Sequence, residues 1–218
     1  MRFVHAFLLA SLFIFARPVH ATEEQPSIDE IVHGVESAYQ NVHSMRADFV
    51  QITRSAALGE ETKERGKVHF KKPKMMRWEF GGTQAKAFVT DGKKMWVYTA
   101  ADKQVIISEE LGQGAGMSQL LDDMNNLSTY FDVSYASEPM DSQKKGYVLD
   151  LKPKEQTSFK ALRVTVAKKK YTLERVVVVD AFDNEVDLSF SQVRLNPELA
   201  DSMFVFEVPA GVNVIEGL

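Results

Sequence analysis

The 218-residue chain has no cysteine. Structural disulfides, thiol nucleophiles and cysteine-ligated metals are thereby excluded, and the fold must be held by burial alone. Histidine is scarce. His5 and His20 fall near the N-terminus, and His33, His43 and His69 lack the spacing that sets two ligands on one face, so they read as surface or capping residues. No Gly-x-Ser-x-Gly elbow is present. The stretch Gly112-Gln113-Gly114-Ala115-Gly116 is followed by no Lys-Ser/Thr pair, so it reads as a hinge and not as a phosphate cradle. Glu109-Glu110 and Asp122-Asp123 are adjacent acids, which point apart on a helix and suit a solvated face better than paired acid–base work. The residues offer no constellation for catalysis and no site for a metal or cofactor, and the chain reads as a non-enzyme.

A long apolar run is also lacking. The longest, from about Val4 to Ala16, is too short to span a bilayer as a helix. Arg2 precedes it and Val19-His20-Ala21 closes it, the pattern of a cleaved secretory signal peptide. With no cysteine after the run, the chain is not itself a lipoprotein. The expectation is a leader over residues 1–21 and one exported, monomeric domain over 22–218, without stable membrane insertion. Loss of Arg2 and Arg17 with the leader changes the formal charge from −4 to −6. Nucleic acid is then not the expected partner, because basic residues that neutralise phosphate supply most of that affinity.

What the chain does have is pattern. Ser27-Ile28-Asp29-Glu30 matches a capping box, and Ile28, Ile31, Val32, Val35, Ala38, Tyr39 and Val42 recur at helical spacing, which predicts an amphipathic helix from about 28 to 44. Beyond it the period becomes two. Alternation over 47–52 and 67–71 predicts strands, and Asp91-Gly92 predicts a hairpin between Lys86–Thr90 and Lys94–Thr99. Further strands are expected at Val133–Ala136, Tyr147–Lys152, Leu162–Ala167, Leu173–Asp180, Glu185–Val193 and Phe204–Glu207, with a turn at Asp183-Asn184. Val186-Asp187-Leu188-Ser189-Phe190-Ser191 gives the sheet one dry and one wet face. Leu111–Phe131 interrupts the strands as a glycine hinge with one or two short helices. The class is mainly β: ten or eleven short strands imply one curved antiparallel sheet or barrel, curled around an interior with helices laid over its mouth.

Several stretches then resemble one family. Lys72-Pro73-Lys74-Met75-Met76-Arg77-Trp78-Glu79 resembles the K-R-P-x-x-F-R-W-E stretch of the periplasmic outer-membrane lipoprotein carriers, LolA. Val89-Thr90-Asp91-Gly92-Lys93-Lys94-Met95-Trp96-Val97-Tyr98 is similar to its V-S-D-G-K-x-L-W-x-Y, and Gln104-Val105 to its Q-V. Upstream, the stretch Met45 to Gln51 looks like its helix-to-strand entry with F-x-Q, and the stretch Phe204 to Ile215 resembles its closing F-x-F-x-x-P-x-G-V-x-V. The matches run in order across nearly the whole mature chain.

The resemblance implies an incomplete, strongly curved antiparallel barrel of about 11 strands, closed by a helical lid around a hydrophobic cavity, with a periplasmic location, no cofactor and no covalent chemistry. It implies transfer of acylated lipoproteins from the inner-membrane LolCDE complex to an outer-membrane acceptor of the LolB type. A carrier of another lipid on the same fold, or a lipid-acting periplasmic hydrolase, are the other readings. Cavity-lining residues are expected from the sheet at Phe49, Phe70, Met76, Trp78, Phe80, Phe88, Trp96 and Tyr98, and from the lid at Met117, Leu120 and Leu121. One departure bears on the lid. Lys72 stands where the family carries a lid-latching arginine, which leaves the latch to Lys72 or to Arg77.

Overall fold

The computed structural model describes residues 25–82, 85–109, 120–121, 123–137, 146–157 and 159–217. The expected leader lies outside them. Helix α1 spans Ile28–Tyr39 and is capped as its sequence dictates. The Glu30 amide donates to Ser27 Oγ, and the Ser27 amide donates to the Glu30 carboxylate at 2.8 Å. The helix ends earlier than its apolar spacing suggests. Asn196, in the left-handed region at φ 56°, accepts from the His43 amide and donates to the Asn41 carbonyl, fixing the exit of the chain toward the first strand.

Twelve strands follow among the described residues: β1 Ser44–Arg54, β2 Glu61–Lys71, β3 Met75–Phe80, β4 Lys86–Asp91, β5 Met95–Thr99, β6 Gln104–Ser108, β7 Phe131–Tyr135, β8 Gly146–Pro153, β9 Phe159–Ala167, β10 Leu173–Asp180, β11 Glu185–Leu195 and β12 Asn213–Glu216. They make one curved, open sheet in the order β12-β6-β5-β4-β3-β2-β1-β11-β10-β9-β8-β7. Every pairing is antiparallel except β12 with β6. The strand expected at Phe204–Glu207 is absent. A 3₁₀ turn occupies Asp201–Phe204, and the fully buried Phe204 and the ring of Phe206 act as anchors rather than as members of a ladder. The last strand forms further on, at Asn213–Glu216.

The order of strands dictates the lid. β6 lies next to one edge and β7 forms the other, so the chain between Ser108 and Phe131 must connect opposite sides of the open sheet. Its described part includes Leu120, Leu121 and Asp123 in helical conformation, a 3₁₀ turn Met124–Asn126 and the short helix α2, Leu127–Tyr130. The expected glycine hinge at 112–116 lies outside the described residues.

The concave face divides into a filled half and a hollow half. Ile31, Val35 and Tyr39 of α1 are fully buried with Met124 and Leu127 against the sheet. The Leu173 amide donates to the Tyr39 hydroxyl at 2.9 Å, and the Tyr135 hydroxyl donates to the Pro26 carbonyl at 2.7 Å. Both contacts lie at the sheet end where β10 begins and β7 ends, so α1 plugs that end. Burial of the hydroxyl pushes the Tyr39 pKa up to about 12, although the bond from Leu173 works the other way. Gly66 lets the sheet curl. A Cβ there would stand 1.8 Å from the Glu79 carbonyl oxygen and 2.9 Å from the Phe49 ring, so only glycine admits that approach.

Candidate functional site

The hollow half is a cavity of about 940 Å³. Its walls come from strand ends on the side away from the α1 plug: the close of β3, the start of β4, the close of β8 and β10, and the start of β7, β9 and β11. Period-two alternation makes one wall. Met76, Trp78 and Phe80 face inward from β3, and register sets Trp78 beside Phe88 and Phe80 beside Lys86 of β4. The rings support one another. Phe49 meets Trp78 at 4.8 Å and Phe80 at 5.0 Å between centroids, and Phe80 meets Phe88 edge-on at 6.0 Å. The opposite wall is aliphatic, from Leu162, Val176, Val178, Val186 and Leu188, with Phe131 and Phe159 at its edge. Leu120 and Tyr130 close it from the lid side.

Polar side chains also line the cavity, among them the buried Asp123 and the more exposed Lys86, Lys154 and Asp180. The Lys86 ammonium lies 4.4 Å from the Phe80 ring centroid and 2.8 Å from the Glu64 carboxylate. Asp180 accepts from the Asn184 side chain at 2.9 Å and from the Phe182 and Asn184 amides. That side-chain bond, together with those amides and against a small effect of burial, holds its carboxyl below the ordinary carboxylate value. Lys154 ties the lid to β8: its ammonium donates to the Ser128 carbonyl at 2.6 Å, and its amide donates to the Tyr130 carbonyl. Ser128 in turn donates to Glu36 of α1 through both its amide, at 2.8 Å, and its hydroxyl, at 2.7 Å. The arrangement encloses an apolar volume and offers no set of His, Asp or Glu that could hold a metal among the described residues.

The residues expected at such a site divide four ways. Met76, Trp78, Phe80, Phe88 and Leu120 line the cavity. Phe49, Phe70 and Leu121 are buried in the main core behind it. Trp96 and Tyr98 are not brought to it, because they pair with Val89 and Ala87, whose side chains point to the convex face. There Trp96 packs with Val105, and Tyr98 meets the Phe206 ring at 5.3 Å, forming a second cluster under the C-terminal segment. Met117 lies outside the described residues.

Arg77 is likewise turned away from the lid. Its neighbours Met76 and Trp78 point inward, so it points outward, donating to the Met203 carbonyl at 3.0 Å and to Glu79 at 2.7 Å. It fastens the C-terminal 3₁₀ turn to β3. The Lys72 amide donates to the His43 carbonyl at 2.8 Å, which places this residue where β2 meets the exit from α1.

The aliphatic wall escaped the reading of sequence. Its signal was present in the dry face of Val186-Asp187-Leu188, but the unbroken run Val176–Val179 carries no alternation that would tell which valines face inward.

A family model described as outer membrane lipoprotein carrier protein LolA matches residues 40–207. An outer-membrane lipoprotein carrier protein of Legionella pneumophila (strain Corby) is 28% identical over 186 residues, covering 84% of this chain and 88% of its own. One of Pseudomonas aeruginosa (strain UCBPP-PA14) is 25% identical over 222 residues, covering 99% of this chain and all of its own. In fold, the chain resembles the crystal structure of an uncharacterized conserved protein from Thermus thermophilus, with a TM-score of 0.53 at 18% identity, covering 87% of this chain and 98% of that one. The family model spans most of the sheet and the lid, and on that match the chain belongs to the outer membrane lipoprotein carrier family, LolA.

Proposed function

We propose that the protein is a periplasmic carrier of acylated lipoproteins, which takes them from an inner-membrane LolCDE complex, holds their acyl chains in the cavity and yields them to a LolB-type acceptor. The observation that carries this reading is the cavity itself: about 940 Å³, walled largely by aromatic and aliphatic side chains. The need for such a chamber follows from hydration. At roughly 0.8 kcal/mol per methylene, some forty-five methylenes of lipid anchor would cost on the order of 35 kcal/mol in water. No free lipoprotein crosses an aqueous gap against that cost. A carrier must also let go, which favours soft lining residues such as Met76 and a lid fastened by few bonds.

The site assignment follows the lining. Met76, Trp78, Phe80, Phe88 and Leu120 contact the acyl chains, with Phe49, Phe70 and Leu121 shaping the wall from behind. Lys72 is the remaining candidate for a polar tie to the lid, and Lys72→Arg is expected to increase hydrogen-exchange protection of lid amides. Residues 1–21 act as the export leader.

Native mass spectrometry after mixing with an acylated lipoprotein, and separately with its unacylated form, tests the function. A stable complex with the acylated form alone is expected. Complexes with both forms, or with neither, would overturn the carrier reading.

A further inference from the structure

At the cavity end of the sheet, two turns hold large apolar side chains out in solvent. Leu58, between β1 and β2, is 71% exposed, and Phe182, between β10 and β11, is 82% exposed. Because β1 pairs with β11, the two turns stand side by side, joined by a hydrogen bond from the Ala56 amide to Asn184 Oδ1 at 3.1 Å. Each is also built to hold its shape. Gly59 adopts φ 65°, and its amide donates to the Ser55 carbonyl at 2.9 Å. In the other turn, Asp180 gathers the Phe182 and Asn184 amides at 2.8 and 2.9 Å, with Asp183 at φ 65°. Asp180 and Val186, which flank the Phe182 turn, both line the cavity. The exposed ring therefore stands at the cavity mouth.

We propose that these turns form a docking surface for a phospholipid bilayer, in which Leu58 and Phe182 enter the interfacial layer and hold the cavity mouth against it. The proposal rests on the carrier reading above and adds the surface that the loaded or emptied carrier meets. A bilayer fits better than a protein for two reasons. Two side chains flanked by the exposed Ala56, Ala57 and Ala181 fall far short of the roughly 800 Å² per partner of a specific protein interface. The nearby charges are also largely paired within the chain: Arg54 with Glu61 and Glu185, Lys160 with Asp183, Lys86 with Glu64. Among the described residues near the turns, the acids Glu60 and Asp180 that remain are too few to make a field that steers a charged partner. Two apolar side chains give a contact weaker than a single acyl anchor, which is itself only marginal and reversible. Such a contact suits a carrier that must leave, and its strength does not depend on salt.

The absence of cysteine makes the test direct. Ala57→Cys and Ala181→Cys each introduce a unique thiol beside an intact anchor, and Lys169→Cys, in the exposed β9–β10 turn at the opposite end, serves as the control. With a polarity-sensitive fluorophore attached, adding zwitterionic phosphatidylcholine vesicles is expected to shift emission to the blue at 57 and 181, equally at low and high salt, and not at 169. Leu58→Glu and Phe182→Glu are each expected to lower vesicle partitioning about tenfold while acylated lipoprotein is still bound. No shift at 57 and 181, an equal shift at 169, or a shift that needs an added protein would each overturn the bilayer assignment. A wild-type chain that docks on vesicles but binds no acylated lipoprotein would instead sink the carrier reading.

Discussion

Tyr39 and Met76 mark the two ends of what a single side chain does in this molecule. Tyr39 is 1% exposed, and its hydroxyl accepts the Leu173 amide. Its folded pKa of about 12 lies above the unfolded value of 10. The protonated form is therefore the one that folding favours, so its contribution is fully present below pH 10 and is lost as pH rises toward 12. Two units correspond to about 3 kcal/mol at 1.36 kcal/mol each. Urea unfolding followed across that window should show a fall of this order, and Tyr39→Phe should flatten it; an unchanged profile in the variant would assign the fall to another group. Met76 is as deeply buried but lines a hollow. Met76→Glu sets a carboxylate against apolar walls, and affinity for acylated lipoprotein should drop by at least about tenfold. Wild-type binding measured by native mass spectrometry would remove Met76 from the site. The sequence marked both residues as inward-facing. It did not tell them apart, because nothing local says whether the space opposite is occupied by α1 or empty.

Between elements, parity and connection order decide more than composition does. Trp96 and Phe88 sit on adjacent strands and look like one aromatic cluster, yet they face opposite ways. The β4–β5 hairpin pairs Thr90 with Met95 and Phe88 with Val97, which leaves Trp96 beside Val89 on the convex side. The expected strands Lys86–Thr90 and Lys94–Thr99 leave three residues between them, which would pair Phe88 with Trp96 on one face; pairing of Thr90 with Met95, one residue further on, reverses that parity. The lid illustrates the same dependence at longer range. Its cover over the cavity follows from β6 and β7 lying on opposite sides of the sheet, which depends on β1 pairing with β11 across more than a hundred residues of chain. Among the bonds that hold the lid, those from Ser128 to Glu36 bridge α2 and α1. Glu36→Ala should cost about 1 kcal/mol or less overall, the scale of an exposed hydrogen bond. Hydrogen exchange at the Ser128 amide should nevertheless rise clearly. Unchanged protection there would show that the lid is held by its apolar contacts.

At the scale of the whole molecule, the open sheet is filled by its own helix at one end and left hollow at the other. Stability should therefore respond to what enters the hollow. A ligand that binds only the folded state adds about 2.7 kcal/mol at a concentration one hundred times its Kd. For a domain of this size that amounts to a rise in Tm of about 5–10 °C. Thermal unfolding with acylated lipoprotein should show such a rise, and the unacylated form should show none. An equal rise with both would mean that the protein part, rather than the lipid, is recognised. Reductant should change neither curve, since the chain has no cysteine.

Much was determined before folding. The capping box sets where α1 starts, period-two alternation sets which residues can share a face, and the lack of cysteine and of ligand spacing removes whole classes of chemistry. These are short-range properties, decided by backbone geometry and side-chain type within a few residues. What tertiary structure alone decided is where the unfilled volume lies. α1 packs against one end of the concave face, the run Val176–Val179 in the aliphatic wall has no readable direction, and Phe204 and Phe206 seal the convex side in place of forming a strand. A cavity is the space left when distant segments meet, so no local pattern in the chain encodes it.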